Sequence, residues 1–286
     1  MRLLIVNAYA SGVNGERIAA VTAALGVVEV RRTAHPGHAT SLAREGRGAE
    51  AVYVLSGDGV FNEVLNGIDA ETPVGFLPGG GANVLSRALG LPRDPVQAAE
   101  RVVLGRTRRI SLGRVNGRRF GFAAGMGIDA EAVRRHDARG RSPERGRAGN
   151  AMFAWDMARL LAARRGRFEP ALEIKGRGRA AFALVANTDP YTYAGPVPIR
   201  VAPRARFELG LDLVAPRAVA PLALPRLLGY LVLGRGQVRN VVYGNDLDRI
   251  EVIADEPMPL QVDGEDLGDV TSAIFEAERG AALVLI

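Results

Sequence analysis

Ser56-Gly-Asp-Gly-Val-Phe-Asn-Glu-Val-Leu-Asn-Gly67 is the segment best equipped for chemistry. An apolar stretch, residues 51–55, runs into it, and a helical pattern over 61–68 leads out of it. Gly57 and Gly59 allow close approach of the backbone to a ligand and accept positive φ. Amide N–H groups opening the following helix favour a phosphate. Asp58 cannot face a phosphate without a cation or a shared proton, so it is a candidate for Mg2+ contact or proton abstraction. The plainer alternative is a strand–helix turn with Asp58 as its N-cap. Two more glycine-bearing turns follow apolar stretches: Asn7 to Ser11-Gly12 after residues 3–6, and Pro78-Gly-Gly-Gly-Ala-Asn83 after residues 74–77.

Positioning these turns requires strands that alternate with helices. Apolar runs at 3–6, 27–30, 51–55 and 74–77 read as strands, and helical spacing appears at 16–25, 40–47, 61–68 and from 82. Such alternation predicts a parallel, doubly wound sheet, whose buried strands read as unbroken apolar runs. All three turns would then lie at the carboxyl edge of the strands, where ligands bind in such sheets. Together they predict nucleotide binding. Beyond residue 112 the pattern changes. Residues 114–119 form a hairpin signal around Asn-Gly. Short strands are expected at 171–174, 181–186, 199–202, 211–215, 238–243, 250–254 and 260–262. Helices are expected at 149–165 and 222–233, so this half is mainly β.

Composition narrows the chemistry. The 286 residues include 37 Lys+Arg and 31 Asp+Glu, for a formal charge of +6, and 48% are hydrophobic, enough for a core. The absence of cysteine excludes disulfides, thiolate metal sites and thiol nucleophiles. Lys175 is the single lysine and lies in Glu-Ile-Lys-Gly-Arg, so neither a P-loop nor a protein-kinase lysine is available. A pI near 10.2 favours anionic partners. No apolar run reaches the length of a membrane span, and the opening residues do not read as a signal peptide. The expectation is a cytoplasmic protein.

The Ser-Gly-Asp-Gly…Asn-Glu-Val…Asn-Gly block, the early Asn…Ser-Gly turn, Pro-x-Gly-x-x-Asn and a late Val262-Asp-Gly-Glu265 occur in the order seen in the diacylglycerol kinase catalytic-domain family. The chain resembles that family, which includes bacterial lipid kinases and the sphingosine and ceramide kinases, from about residue 3 to 268. Thr33-Ala-His-Pro-Gly-His-Ala39 resembles the family's segment after its second strand. The resemblance implies an α/β fold with an N-terminal Rossmann-like domain over 1–112, to which residues 277–286 are expected to return. It also implies a mainly-β, sandwich-like lipid-substrate domain over 113–276, with the active-site cleft between the two.

Carried over residue by residue, the resemblance implies that Asn7, Ser11, Gly12 and Thr33 line the nucleotide. Ser56, Gly57, Asp58, Gly59, Val60, Asn62 and Glu63 would surround its phosphates, and Gly80, Gly81 and Asn83 would complete the pocket. Asp263 would take the proton from the lipid hydroxyl, with Glu265 as the supporting or alternative carboxylate; some relatives give that role to the residue matching Asp58. The implied function is an ATP- and Mg2+-dependent lipid kinase acting on diacylglycerol or a similar lipid. The alternatives are a kinase of a soluble substrate such as NAD, and a non-catalytic nucleotide- or lipid-binding regulator. The family's usual Pro, Thr and Thr are here Ala8, Val60 and Gly81, and its acidic metal-holding segment appears as Glu208-Leu-Gly210. No metal site is carried over.

Other signals have simpler readings. Gly125-Met-Gly-Ile-Asp-Ala130 matches a dinucleotide fingerprint, but the acid about 20 residues on, Glu144, does not end a strand. A structural or cleft-lining role is expected instead. His35, His38 and His136 read as exposed turn or loop residues. Arginines over 134–147 read as a solvated loop that could touch an anionic membrane surface at the inner leaflet. The absence of interleaved aromatics argues against nucleic acid. Phe153 and Trp155 are expected in the core. Nothing in the sequence sets the oligomeric state.

Overall fold

The computed structural model describes residues 1–138, 150–223, 225–226, 229–230 and 240–286, and within these leaves out the side chains of residues 137, 150–154 and 194. Contacts divide the chain into two compact units, Met1–Leu112 with Arg279–Ile286, and Gly113–Glu278.

The first unit begins as alternating strands and helices: β1 Arg2–Val6, α1 Gly15–Leu25, β2 Glu29–Arg32, α2 His38–Glu45, β3 Ala51–Ser56, α3 Asp58–Leu65 and β4 Val74–Pro78. α4 Val84–Ala88, α5 Pro95–Val102 and most of β5 Thr107–Val115 complete its first pass. The strands lie in the order β4-β3-β1-β2, all parallel. β3 and β4 are buried along their whole length and β1 at four of its five residues. Both faces are therefore covered, which is why these strands read as unbroken apolar runs. The edge strand β2 is Glu-Val-Arg-Arg with no buried residue, two positions later than the expected strand at 27–30. Its solvated, charged edge resists pairing with another chain. Phe61 on α3 meets Phe76 on β4 at 5.1 Å between ring centroids, and both are fully buried. Each such side chain contributes about 2–3 kcal/mol by leaving water.

The second unit is a mainly antiparallel β structure. Its strands are β6 Arg118–Phe120, β7 Ala123–Met126, β8 Leu172–Ile174, β9 Gly178–Ala180, β10 Ala183–Ala186, β11 Thr192–Ala194, β12 Val197–Ile199, β13 Leu211–Pro216, β14 Val241–Leu247, β15 Arg249–Val262 and most of β16 Glu265–Leu285, whose last residues belong to the first unit. Neighbours run β14-β13-β10-β7-β15-β16, and β8 also pairs with β15. Two helices, α6 Ile128–Ala138 and α7 Asn150–Ala163, pack with Phe168, Phe182 and Val219 into a core of their own. The Asn116-Gly117 turn takes positive φ at both residues, 48° and 88°, as the hairpin signal requires.

Several expectations shift. The strands expected at 250–254 and 260–262 are one 14-residue strand, β15, with register irregularities inside it. The strand expected at 199–202 is the short β12, three residues earlier at its end. Arg134, Arg135 and His136 are helical residues of α6 rather than a loop. Arg134 holds Asp266 at 2.8 Å and Asp269 at 2.7 Å, and Arg135 holds Glu131 at 2.7 Å. Residues 139–147 of the proposed membrane-facing arginine segment lie outside the described residues, as does half of the expected helix at 222–233. Trp155 is 59% exposed rather than core. α7 buries Asp156 and Leu160 instead, and the side chain of Phe153 lies outside the description.

Candidate functional site

At the carboxyl edge of the parallel strands the three glycine turns meet. Gly12 N–H donates to the Gly79 carbonyl at 2.9 Å, joining the first turn to the third. Gly79 N–H donates to the Ser56 carbonyl at 2.6 Å, joining the third to the second. A Cβ on Gly80 would lie 2.6 Å from Gly57 Cα, and one on Gly79 would lie 2.7 Å from the Val13 side chain. Contacts this short admit no side chain: Gly80 meets the backbone of Gly57, and Gly79 meets the Val13 side chain and the Ser56 backbone. Gly59 and Gly81 differ, because a Cβ on either would enter open space.

Asp58 departs from the expected cap. The N-cap of α3 is Gly57, without a side-chain hydrogen bond. The Asp58 carboxylate instead accepts from Val84 N–H at 3.0 Å and Leu85 N–H at 3.1 Å, the first amides of α4. It therefore caps a helix that begins 26 residues further on. Asn83, at φ 49°, accepts from Gly80 N–H at 2.9 Å and donates to the Gly80 carbonyl at 2.8 Å. Asp58 and Asn83 thus hold the second and third turns in one arrangement.

The remaining sequence-selected residues of this unit have distinct places. Asn7 caps its own turn, accepting from Tyr9 N–H at 3.0 Å. Ser11 is exposed, and Thr33 is buried with its N–H on the Val6 carbonyl at 2.9 Å. Ser56 and Asn62 are buried, and Val60 is partly buried on α3. Glu63 accepts from Ala39 N–H at 3.1 Å, and its carbonyl accepts from the Thr40 hydroxyl at 2.9 Å. Glu63 therefore anchors the start of α2. His35 and His38 stack at 5.0 Å beside Thr33.

Asp263 and Glu265 belong to the other unit. Asp263, only 5% exposed and at φ 48°, opens the turn between β15 and β16. Its carboxylate accepts from Gly121 N–H at 2.6 Å, Phe122 N–H at 2.9 Å and Ala123 N–H at 3.1 Å. A carboxylate, which only accepts, suits three converging donors. Glu265 is half exposed and pairs with Arg118 at 2.8 Å.

The sequence reading missed a buried polar group in the same unit. The Asp129 Oδ2 accepts from the Tyr191 hydroxyl at 2.7 Å and from the Gln261 side-chain amide at 2.9 Å. Burial pushes the Asp129 carboxyl up, the two hydrogen bonds opposing it, and burial beside Asp129 pushes the Tyr191 phenol well up. A Cβ on Gly125 would lie 1.9 Å from Asp129 Oδ2. The signal was therefore present in Gly125-Met-Gly-Ile-Asp129: the first glycine makes room for the carboxylate four residues later. Among the described residues no three acidic or histidine side chains gather as a cation site.

The three glycine turns all lie inside a segment that matches a known family. Residues 2–115 match the model of the diacylglycerol kinase catalytic domain. The chain is 40% identical to the diacylglycerol kinase of Bacillus subtilis (strain 168) over 97 residues, 32% of either protein. The aligned stretch is thus about a third of that relative's length. In fold, the chain is similar to a crystal structure of a diacylglycerol kinase from Bacillus anthracis str. Sterne, with a TM-score of 0.72 and 20% identity, covering 99% of this chain and 96% of the other. It is also similar to an NAD kinase from Archaeoglobus fulgidus crystallised with ATP, with a TM-score of 0.54 and 16% identity, covering 100% and 94%. These likenesses extend the two-part α/β and mainly-β fold over the whole chain, and residues 2–115 match the diacylglycerol kinase catalytic-domain family.

Proposed function

We propose that the protein is an ATP-dependent lipid kinase that transfers the γ-phosphoryl group to a hydroxyl of diacylglycerol or a similar lipid. The observation that carries this reading is the mutual docking of the three glycine turns, inside the segment that matches the family. Gly59 and Gly81 leave open space beside backbone amides, which fits a phosphate chain. ATP, when bound, supplies the phosphoryl group. Asn7, Ser11, Gly12 and Thr33 line the nucleotide, and the turns at 56–63 and 80–83 hold its phosphates. Asp58 fixes the second and third turns through its two amide contacts. Mg2+ arrives with the nucleotide's phosphates, as this ion commonly does, rather than in a protein cage. Asp263 is the base that takes the hydroxyl proton, held in one orientation by three amides, and Glu265 supports it. The protein works on lipid at a membrane surface from the cytoplasmic side.

The likeness to an NAD kinase favours one second reading, a soluble acceptor, because its fold covers the same whole chain. Phosphate transfer from labelled ATP with Mg2+ to dispersed diacylglycerol, a sphingoid base and NAD separates the readings. Transfer to a lipid supports the proposal. Transfer to NAD alone replaces it with the second reading. ATP binding without transfer to any acceptor overturns both in favour of a regulator.

A further inference from the structure

Trp155, the single tryptophan of the chain, stands 59% exposed on α7. Asp156 and Leu160 of this helix are buried, and Met157 and Leu161 pack against the core around Phe168 and Phe182. Trp155, Ala158, Arg159, Ala162 and Ala163 are exposed together. Spacings of three, four and seven residues put Ala158, Arg159 and Ala162 on the face of Trp155. The outer face of a helix in water usually carries charged and polar side chains. This one carries a tryptophan, three alanines and one arginine. Basic groups continue past its end. Arg164, Arg165 and Arg167 are exposed, and Glu169 is the one exposed acid between residues 155 and 170. Among the described residues, Arg164 alone of these four arginines has a carboxylate partner, Glu131 at 2.7 Å. Phe168, the chain neighbour of Arg167, exchanges backbone hydrogen bonds with Val219 at 3.0 Å in both directions. The turn Pro221–Ala223 follows closely on that contact, and its Leu222 is 93% exposed.

We propose that this face of α7 docks on an anionic lipid bilayer, with Trp155 seated among the headgroups and the arginines on their phosphates. Indole suits that boundary, because its ring is apolar and its N–H stays wet. The alanines project too little to hold the helix away from the surface. Arginine forks match phosphate oxygens, and each one near an anionic surface strengthens binding about fivefold. Apolar side chains flanked by arginines are the pattern of a helix that lies in the plane of the interface. The sequence pointed to arginines over 134–147 for such a contact. Arg134 and Arg135 are engaged by carboxylates, whereas Arg159, Arg165 and Arg167 are not. Nucleic acid is the poorer occupant, because the face offers one aromatic ring instead of a series of stacking platforms. The inference rests on the lipid-kinase reading for the need to reach a bilayer, and it names the surface that does so.

Trp155 is its own reporter, since no other tryptophan contributes emission. The full-length chain is mixed with vesicles of phosphatidylcholine, with vesicles that are about one-third phosphatidylglycerol, and with a single-stranded oligonucleotide. Anionic vesicles should shift the emission to the blue, and brominated acyl chains in them should quench it. Phosphatidylcholine alone should bind about tenfold to a hundredfold more weakly. Sedimentation with the anionic vesicles then reads the variants. Trp155→Ser should bind about tenfold more weakly, and the double variant Arg159→Ser, Arg167→Ser about tenfold to thirtyfold. Leu104→Ser removes a side chain of the first unit that is 70% exposed, and it should bind as native protein does. All of these positions are exposed, so melting temperatures should match. No blue shift with anionic vesicles overturns the proposal, as does native-level binding by the Trp155 and arginine variants. Equal affinity for the two vesicles overturns the role of the arginines. A shift with the oligonucleotide alone replaces the bilayer by nucleic acid. Native protein that binds the vesicles and transfers phosphate to no lipid fails the kinase reading alone. Transfer to a dissolved short-chain lipid without vesicle binding fails this inference alone.

Discussion

At Asp263, the amides of Gly121, Phe122 and Ala123 converge on one carboxylate. Asparagine there would turn an NH2 group toward at least one of them, so Asp263→Asn should lose about 1–3 kcal/mol of stability. Urea unfolding reads this directly, and an unchanged midpoint would remove the structural part of the role. Loss of phosphate transfer in this variant therefore speaks for a base only at a urea concentration and temperature where the variant is folded. Asp129 gives a pH-dependent counterpart. Burial pushes its carboxyl above the ordinary 3.8, so the folded chain keeps that proton to higher pH than the unfolded chain does. Between the two values the native state binds more protons, and this group's share of stability falls as pH rises through the folded value. Asp129→Asn has no such proton. Its unfolding midpoint relative to native protein should improve as pH rises above the ordinary 3.8, and a constant difference would sink the assignment. The partners in these two arrangements could not be read from sequence: Asp263 meets amides 140 to 142 residues away, and Asp129 meets Tyr191 and Gln261 at separations of 62 and 132.

Strand and turn chemistry was far more legible. β1, β3 and β4 announce themselves as apolar runs because both faces are covered, and the glycine turns after them follow from local sequence alone. β2 was misplaced because an edge strand facing water carries Glu and Arg instead of an apolar run. β16 escaped because only some of its 21 residues face a core, and the rest alternate among charged and small side chains. The contrast between glycines is testable at this scale. Gly80→Ala drives a methyl into Gly57 Cα and should cost about 1–3 kcal/mol, as overpacking does. The turns would separate and ATP binding would fall with stability. Gly59→Ala places its methyl in open space within the first turn of α3, where alanine is the better helix former by up to about 1 kcal/mol. It should keep or raise the melting temperature while weakening ATP binding, because the methyl occupies room proposed for phosphate. Equilibrium ATP titration beside thermal melting checks both; equal loss of stability in the two variants would refute the packing argument.

Over the whole chain, the first unit draws on residues far apart in sequence. Met1–Leu112 includes β4, and it is Val284, on returning β16, that pairs in parallel with Val74 of that strand. Ile286 N–H donates to the Arg106 carbonyl at 2.9 Å, and Gly280 N–H to the Ser111 hydroxyl at 3.4 Å. Ala282 and Val284 are fully buried and Leu285 nearly so. Removing residues 279–286 would return those side chains to water and leave one side of β4 unpaired. At roughly 0.8 kcal/mol per buried methylene the apolar loss alone is about 4–6 kcal/mol. That is comparable with the whole stability of an ordinary domain, about 5–15 kcal/mol. The deletion should therefore abolish ATP binding by a unit in which no nucleotide-lining residue has been touched, and it should leave that unit unfolded at room temperature. Circular dichroism melting and ATP titration of the shortened chain beside the full one decide it. A shortened chain that melts like the full one would show that the strand order ending at β4 is self-sufficient, and the returning strand would then owe its place to the second unit alone.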